Sequence, residues 1–131
     1  MIHEDFYSIV ERICRNDPRY RHEAYGFVME ALTFTQRKYK AVSHVSGEQL
    51  LDGLRELLME RFGPLAHTVL NHWRITATED IGHIVFNLVD FKILTKTDHD
   101  HIDHFRNQYD FEEVFVRGYR QKLARKISRM R

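Results

Sequence analysis

Apolar residues recur at three- and four-residue spacing along almost the whole chain, the period of a helix with one buried face. Phe6, Ile9, Val10, Ile13 and Cys14 predict a first helix. Asp17-Pro18 should end it, because proline drives the residue before it out of the helical region. Tyr25, Val28, Met29, Leu32 and Tyr39 predict a second helix over His22 to Lys40, with Thr33, Thr35 and Gln36 on its wetter side. Ser46 and Gln49 then stand at capping-box spacing, the serine accepting from the Gln49 amide and the glutamine reaching back. Behind them Leu50, Leu51, Leu54, Leu57, Leu58 and Phe62 form one stripe. Gly63 suits a left-handed helix end and Pro64 the first turn of the next helix, which carries Leu65, Val69, Leu70 and Trp73.

A fifth helix, capped by Thr76 or Thr78, contains IGHIVFNLVDF, which is apolar almost all round and is expected to be central and most buried. Thr97 with Asp100 signals a sixth helix through Phe105, and a last one runs from about Phe111 to the C-terminus. No repeat, low-complexity tract or convincing strand alternation interrupts this pattern. The expectation is all-α: residues 1–131 as one compact domain of about six helices, closing with a basic amphipathic helix at about 111–130.

Composition supports a globular chain: 131 residues, 43% hydrophobic and 30% charged, enough to bury a core. A lone Cys14 cannot close an internal disulfide, which fits a reducing compartment. The start MIHEDFYSIV lacks the basic, apolar layout of a signal peptide, and no apolar run has the length of a membrane span. A cytoplasmic location is therefore expected. The net charge of +1 conceals an asymmetry: residues 114–131 hold seven of the 20 Lys/Arg and none of the 19 Asp/Glu. The tail is thus +7 on a body of −6. Such a tail either folds back onto its own body or meets an anionic partner.

The motifs HVSG, FGP, TVLNHW and TEDIGHIVFNLV, with YDF at Tyr109 to Phe111, resemble a family of uncharacterised conserved proteins found mainly in Planctomycetes, Verrucomicrobia and related bacteria. The resemblance covers roughly residues 39–111. It implies no activity and no catalytic residue. In that family glycine is common where this chain has Arg74 and Lys92, each just after an apolar helical run, so both positions are expected to be left-handed helix ends. Acidic and polar residues, rather than repeated histidines, are usual there in the region of His99 to His104, so the histidine cluster belongs to this chain.

The tail carries the strongest functional signal. Val116, Tyr119, Leu123, Ile127 and Met130 make one apolar stripe, and Arg117, Arg120, Lys122, Arg125, Lys126, Arg129 and Arg131 occupy the rest of the surface. Either the stripe completes the core while the cations face water or pair with the acidic body, or the helix binds RNA, DNA phosphates, anionic lipid or an acidic groove. On the fifth helix Asp80, His83, Asn87 and Asp90 form a thin polar stripe that would line a pocket if buried.

DHDHIDH offers His101 with His104, or Asp100 with His104, on a shared helix face as metal ligands, although negative charge is also simply favourable in a first helical turn. A helix-turn-helix reading of residues 64–97 fails on charge. Between Arg74 and Lys92 there is no cation, and Glu79, Asp80 and Asp90 would repel phosphates. Cys14 lies on an apolar face without a nucleophile signature and is expected to be a buried structural thiol. The leading expectation is a small non-enzymatic interaction module that binds RNA or a ribonucleoprotein through the seven tail cations, its stripe holding the helix on the body. A protein-binding or homo-oligomerising scaffold is the alternative. A metal-dependent enzyme using the cluster at 98–104 is the third. No cofactor is expected.

Overall fold

The computed structural model describes residues 5–41, 44–95 and 101–130, and is all-helical. The α-helices are α1 (Phe6–Asn16), α2 (His22–Lys38), α3 (Gly47–Phe62), α4 (Ala66–His72), α5 (Thr78–Asp90) and α6 (Gly118–Arg129). Short 3-10 turns at Gly63–Leu65 and Ile102–Phe105 join them, and a π-helical turn at Glu112–Arg117 leads into α6. No strand occurs among the described residues. The predicted architecture of one compact domain with about six helices is the one observed.

The starts and stops follow from local chemistry. Asp5 caps α1 by accepting from the Ser8 amide at 2.8 Å. The predicted capping box opens α3, with Gln49 N donating to Ser46 Oγ at 3.0 Å and Ser46 N to Gln49 Oε1 at 2.9 Å. Three helices end in the same way. Ala41, Ile75 and Ile93 donate back five residues to Gln36, Leu70 and Leu88, at 2.9 Å each. The residue between is left-handed in every case: Lys40 (φ 53°), Arg74 (66°) and Lys92 (62°). Arg74 and Lys92 therefore sit in the conformation expected of them, although neither is glycine. Lys40, expected inside α2, lies past its end for the same reason.

The core is centred on α2 and α3. Leu50, Leu51, Leu54, Leu57 and Leu58 face Ala24, Tyr25, Phe27, Val28 and Ala31, all buried. Thr35, expected on the wet side, is fully buried. Its hydroxyl is satisfied by the Ala31 carbonyl at 2.6 Å, and it packs against the bare backbone of Gly53. Phe27, Phe62 and Trp73 cluster at centroid separations of 5.1–5.9 Å, closing the corner between α3 and α4.

The fifth helix leaves only Asp90 exposed, although Val85, Phe86 and Val89 are only partly buried and α3 holds more fully buried residues. It is not capped by a threonine. Ala77 holds the N-cap position, and the Asp80 carboxylate reaches back to accept from the amides of Thr76 (2.9 Å) and Ala77 (3.1 Å). Thr78, freed from capping, donates to the Phe105 carbonyl at 2.5 Å and accepts from Gln108 N at 3.2 Å, so it ties the 105–108 segment to α5.

A helix from Thr97 through Phe105 is not formed. Thr97 and Asp100 lie outside the described residues, and His101 is extended (φ −141°, ψ 146°), so only the single turn Ile102–Phe105 remains. That turn exists to seat two side chains. Ile102 and Phe105 sit where a Cβ on Gly82 would be, and Phe105 also approaches Gly47.

Candidate functional site: the projecting C-terminal helix

The last helix is fixed at its base by aromatic residues. Tyr109 donates its hydroxyl to the Leu51 carbonyl at 2.7 Å. Burial raises the Tyr109 pKa well above the ordinary tyrosine range, so the phenol stays a donor. Asp110 accepts from the Glu113 amide at 2.9 Å and starts the helix. Phe111 and Phe115, both buried, stack at 5.9 Å, and Tyr109 meets Phe115 edge-on at 6.3 Å. The turn that follows is one residue wider than an α-turn, closed by Gly118 N–H donating to the Glu113 carbonyl. Tyr119, half-buried, lies beside Gly63 at the α3–α4 corner.

Beyond Tyr119 the chain leaves the body. Every residue from Arg120 to Met130 is exposed, and α6 has no buried residue. Leu123 is 42%, Ile127 51% and Met130 78% exposed. Beyond half-buried Val116 and Tyr119, both the reading in which the stripe completes the core and the one in which it holds the helix on the body are thereby overturned: Phe111 and Phe115 anchor the helix, and Leu123, Ile127 and Met130 are exposed. Periodicity identified the stripe correctly but carries no information about what lies opposite it.

The cations share this exposure. Arg117, Arg120, Lys122, Arg125, Lys126 and Arg129 all face solvent, and none forms an ion pair among the described residues; Arg131 lies outside them. Some acids of the body are engaged elsewhere: Asp52 and Glu56 with Lys38, and Glu30 with Arg61. At 3.6 residues per turn Arg120 and Lys126 flank the apolar stripe, whereas Lys122, Arg125 and Arg129 turn away from it. The helix therefore presents two separable faces, one apolar with a cation on either side and one cationic.

The polar stripe of α5 is distributed differently from expectation. Asp80 and Asn87 enter a network that sews the α1–α2 loop to α5. Tyr20 donates to Asp80 at 2.5 Å, while Asn87 donates to Asp17 at 2.8 Å and to the Tyr25 hydroxyl at 3.0 Å. Asp17 also receives both Arg19 nitrogens, Nε at 2.9 Å and Nη2 at 2.8 Å. Those bonds hold its carboxyl below the usual carboxylate range. Burial raises Tyr25 to about 12. Asp90 is exposed at the end of the helix, and His83 is half-buried. None of the four lines the cavity of about 410 Å³ beside this helix, whose walls include Val85, Phe86 and Val89 with Val28, Leu32 and Leu50. The partners of Asp80 and Asn87 are structural. Cys14, expected to be buried, is only partly so; its thiol donates to the Tyr20 carbonyl at 3.7 Å, and burial raises its pKa.

Of the histidine cluster, Asp98, His99 and Asp100 lie outside the described residues. His101 caps the 3-10 turn, its Nδ1 accepting from the Asp103 amide at 3.1 Å. The rings of His101 and His104 stand 6.4 Å apart. Among the described residues no three His, Cys, Asp or Glu side chains converge as a metal would require.

No helix among the described residues is long and apolar enough to cross a membrane. No family model, curated protein or solved structure matches the chain.

Proposed function

We propose that this chain is a small non-enzymatic interaction module that presents α6 to RNA or a ribonucleoprotein. The observation that carries the reading is the unpaired state of the six described tail cations, which stand clear of an acidic body that offers them partners. A twelve-residue helix is about 18 Å long, roughly twice the screening length at physiological ionic strength. Arg125, Lys126 and Arg129, toward its far end, therefore act on phosphates with little repulsion from the body behind them. The body's own negative charge keeps the rest of the surface off the polyanion, so that binding is confined to the tail.

Fluorescence anisotropy with a single-stranded RNA oligonucleotide, titrated across ionic strength, tests this. Affinity is expected to fall steeply with salt, and each cation changed to glutamine among Lys122, Arg125 and Arg129 should flatten the log–log slope by about 0.7. A slope near zero, or no binding at low salt, overturns the reading. The exposed apolar stripe favours a second, compatible property, association through protein surface, which the phosphates of RNA do not explain.

A further inference from the structure

A groove of about 450 Å³ runs between α1 and α2, walled by Phe6, Tyr7, Val10 and Met29, with Glu23 at its edge and Gly26 in its floor. Two of its features have no cause among the described residues. Tyr7 is 79% exposed, although it stands on the groove wall. Gly26 is the fifth residue of a 17-residue helix, inside its second turn, where glycine costs about 1 kcal/mol relative to alanine. A Cβ built there meets nothing within 4 Å. The other helical glycines with a packing reason behave differently: Gly53 accommodates Thr35, and Gly82 accommodates Phe105 and Ile102. A bare glycine in a groove floor is what close approach of another helix requires.

We propose that the apolar stripe of α6 seats in the α1–α2 groove of a second copy of this chain, and that the exchange is reciprocal. The two surfaces match in three respects. Leu123 to Met130 spans seven residues, the same rise as His22 to Met29 along the groove, roughly 10 Å. The stripe is aliphatic and the groove aromatic and aliphatic, so each covers what the other leaves exposed. The charges are complementary: Arg120 and Lys126 flank the stripe, whereas Glu23 edges the groove and Glu11 follows Tyr7 by one turn on α1.

Glu11 and Glu23 are exposed and form no ion pair among the described residues. Its own α6 does not fill the groove, because beyond Tyr119 that helix is exposed along its whole length. A two-fold exchange buries both stripes and both grooves in one closed assembly. It leaves Lys122, Arg125 and Arg129 facing outward, so the inference does not depend on the RNA reading.

The test is the mass of nuclease-treated full-length chain by sedimentation equilibrium, at low salt and at about 1 M salt, where pairs between exposed charges are largely screened. A dimer is expected at about 100 μM chain at low salt, weakened at high salt. Gly26→Leu fills open space in a helix and leaves the monomer folded, as circular dichroism should verify. It should raise the dimer dissociation constant at least about tenfold. Leu123→Asp with Ile127→Asp should do the same. Glu23→Lys should weaken the dimer, and adding Lys126→Glu should restore it. A chain that stays monomeric at low salt overturns the proposal, including one that then co-sediments with anionic lipid vesicles. A dimer indifferent to Gly26→Leu overturns it too. RNA binding by α6 is measured separately at dilution, so either reading can fail alone.

Discussion

Two truncations that differ by seven residues should behave in opposite ways. Ending the chain after Glu113 removes Phe115, which is 1% exposed and packed between Phe111 and Tyr109. Deleting a buried phenylalanine side chain costs about 3–5 kcal/mol. The same cut releases the π-helical turn and half-buried Tyr119. Against a total stability on the order of 5–15 kcal/mol, the loss is enough to leave a substantial unfolded fraction or a molten tail end.

Ending the chain after Arg120 removes residues that, among those described, are all exposed. Substitutions of that kind change stability by about 0.5 kcal/mol or less. The assay is urea denaturation followed by circular dichroism, at a dilution where sedimentation shows the full chain to be monomeric. The expected result is a midpoint within error of the full chain for the cut after Arg120, and a broad or absent transition for the cut after Glu113. A concentration-independent loss of more than about 1 kcal/mol after the Arg120 cut would refute the reasoning, because it would mean that the stripe is covered in the free chain. It follows that binding experiments with the shorter chain are interpretable only when the cut lies at Arg120.

Two further outcomes test the body. Gly53→Ala should destabilise by about 1–3 kcal/mol despite alanine's better helix propensity, because the new methyl meets the Thr35 hydroxyl and its Cβ at 2.0 and 2.9 Å; adding Thr35→Ala should recover much of the loss, and a neutral Gly53→Ala in a thermal melt would refute this crossing. Asp17 is held below its unfolded pKa by Arg19 first and Asn87 next, so its contribution is complete above about pH 4 and is lost as pH falls through the lower folded value. Asp17→Asn should therefore melt earlier than the parent at pH 7, with the gap narrowing toward pH 2. A gap that stays constant across that range contradicts the assignment.

Most helix boundaries were legible because they rest on local chemistry. Asp17-Pro18, the Ser46–Gln49 box and Gly63 act within a few residues of themselves, and the leucines of α3 show their face by spacing alone. Arg74 and Lys92 could be read as left-handed only through the resemblance, which implies glycine at both positions after an apolar run. What was not legible depends on a partner distant in sequence. Thr35 looks solvent-facing until Gly53, 18 residues later, removes the side chain that would exclude it. Thr78 resembles a cap until the 105–108 backbone competes for its hydroxyl. The supposed sixth helix had capping letters but only Ile102 and Phe105 to bury, enough for one turn.

At the candidate site the cations and the stripe were both visible in the sequence. The division between anchor and projection was not, because Phe111, Phe115 and Leu123 carry the same apolar signal. Their different fates are set by where α3 and α4 end.

The wide turn at Glu112–Arg117 has a consequence for how the binding face is aimed. An α-helix advances about 100° per residue, so one additional residue accommodated in the turn between Phe111 and α6 fixes the rotational phase of everything beyond it. The anchors Phe111 and Phe115 hold one phase and Leu123, Ile127 and Met130 another, as two gears on a shaft are set by the key between them. Removing Val116 or Arg117, which follow Phe115 in this turn, would leave the aromatic base seated and swing the apolar stripe by more than a quarter of a revolution. Insertion and deletion at this point therefore steer the helix without altering a single side chain on it.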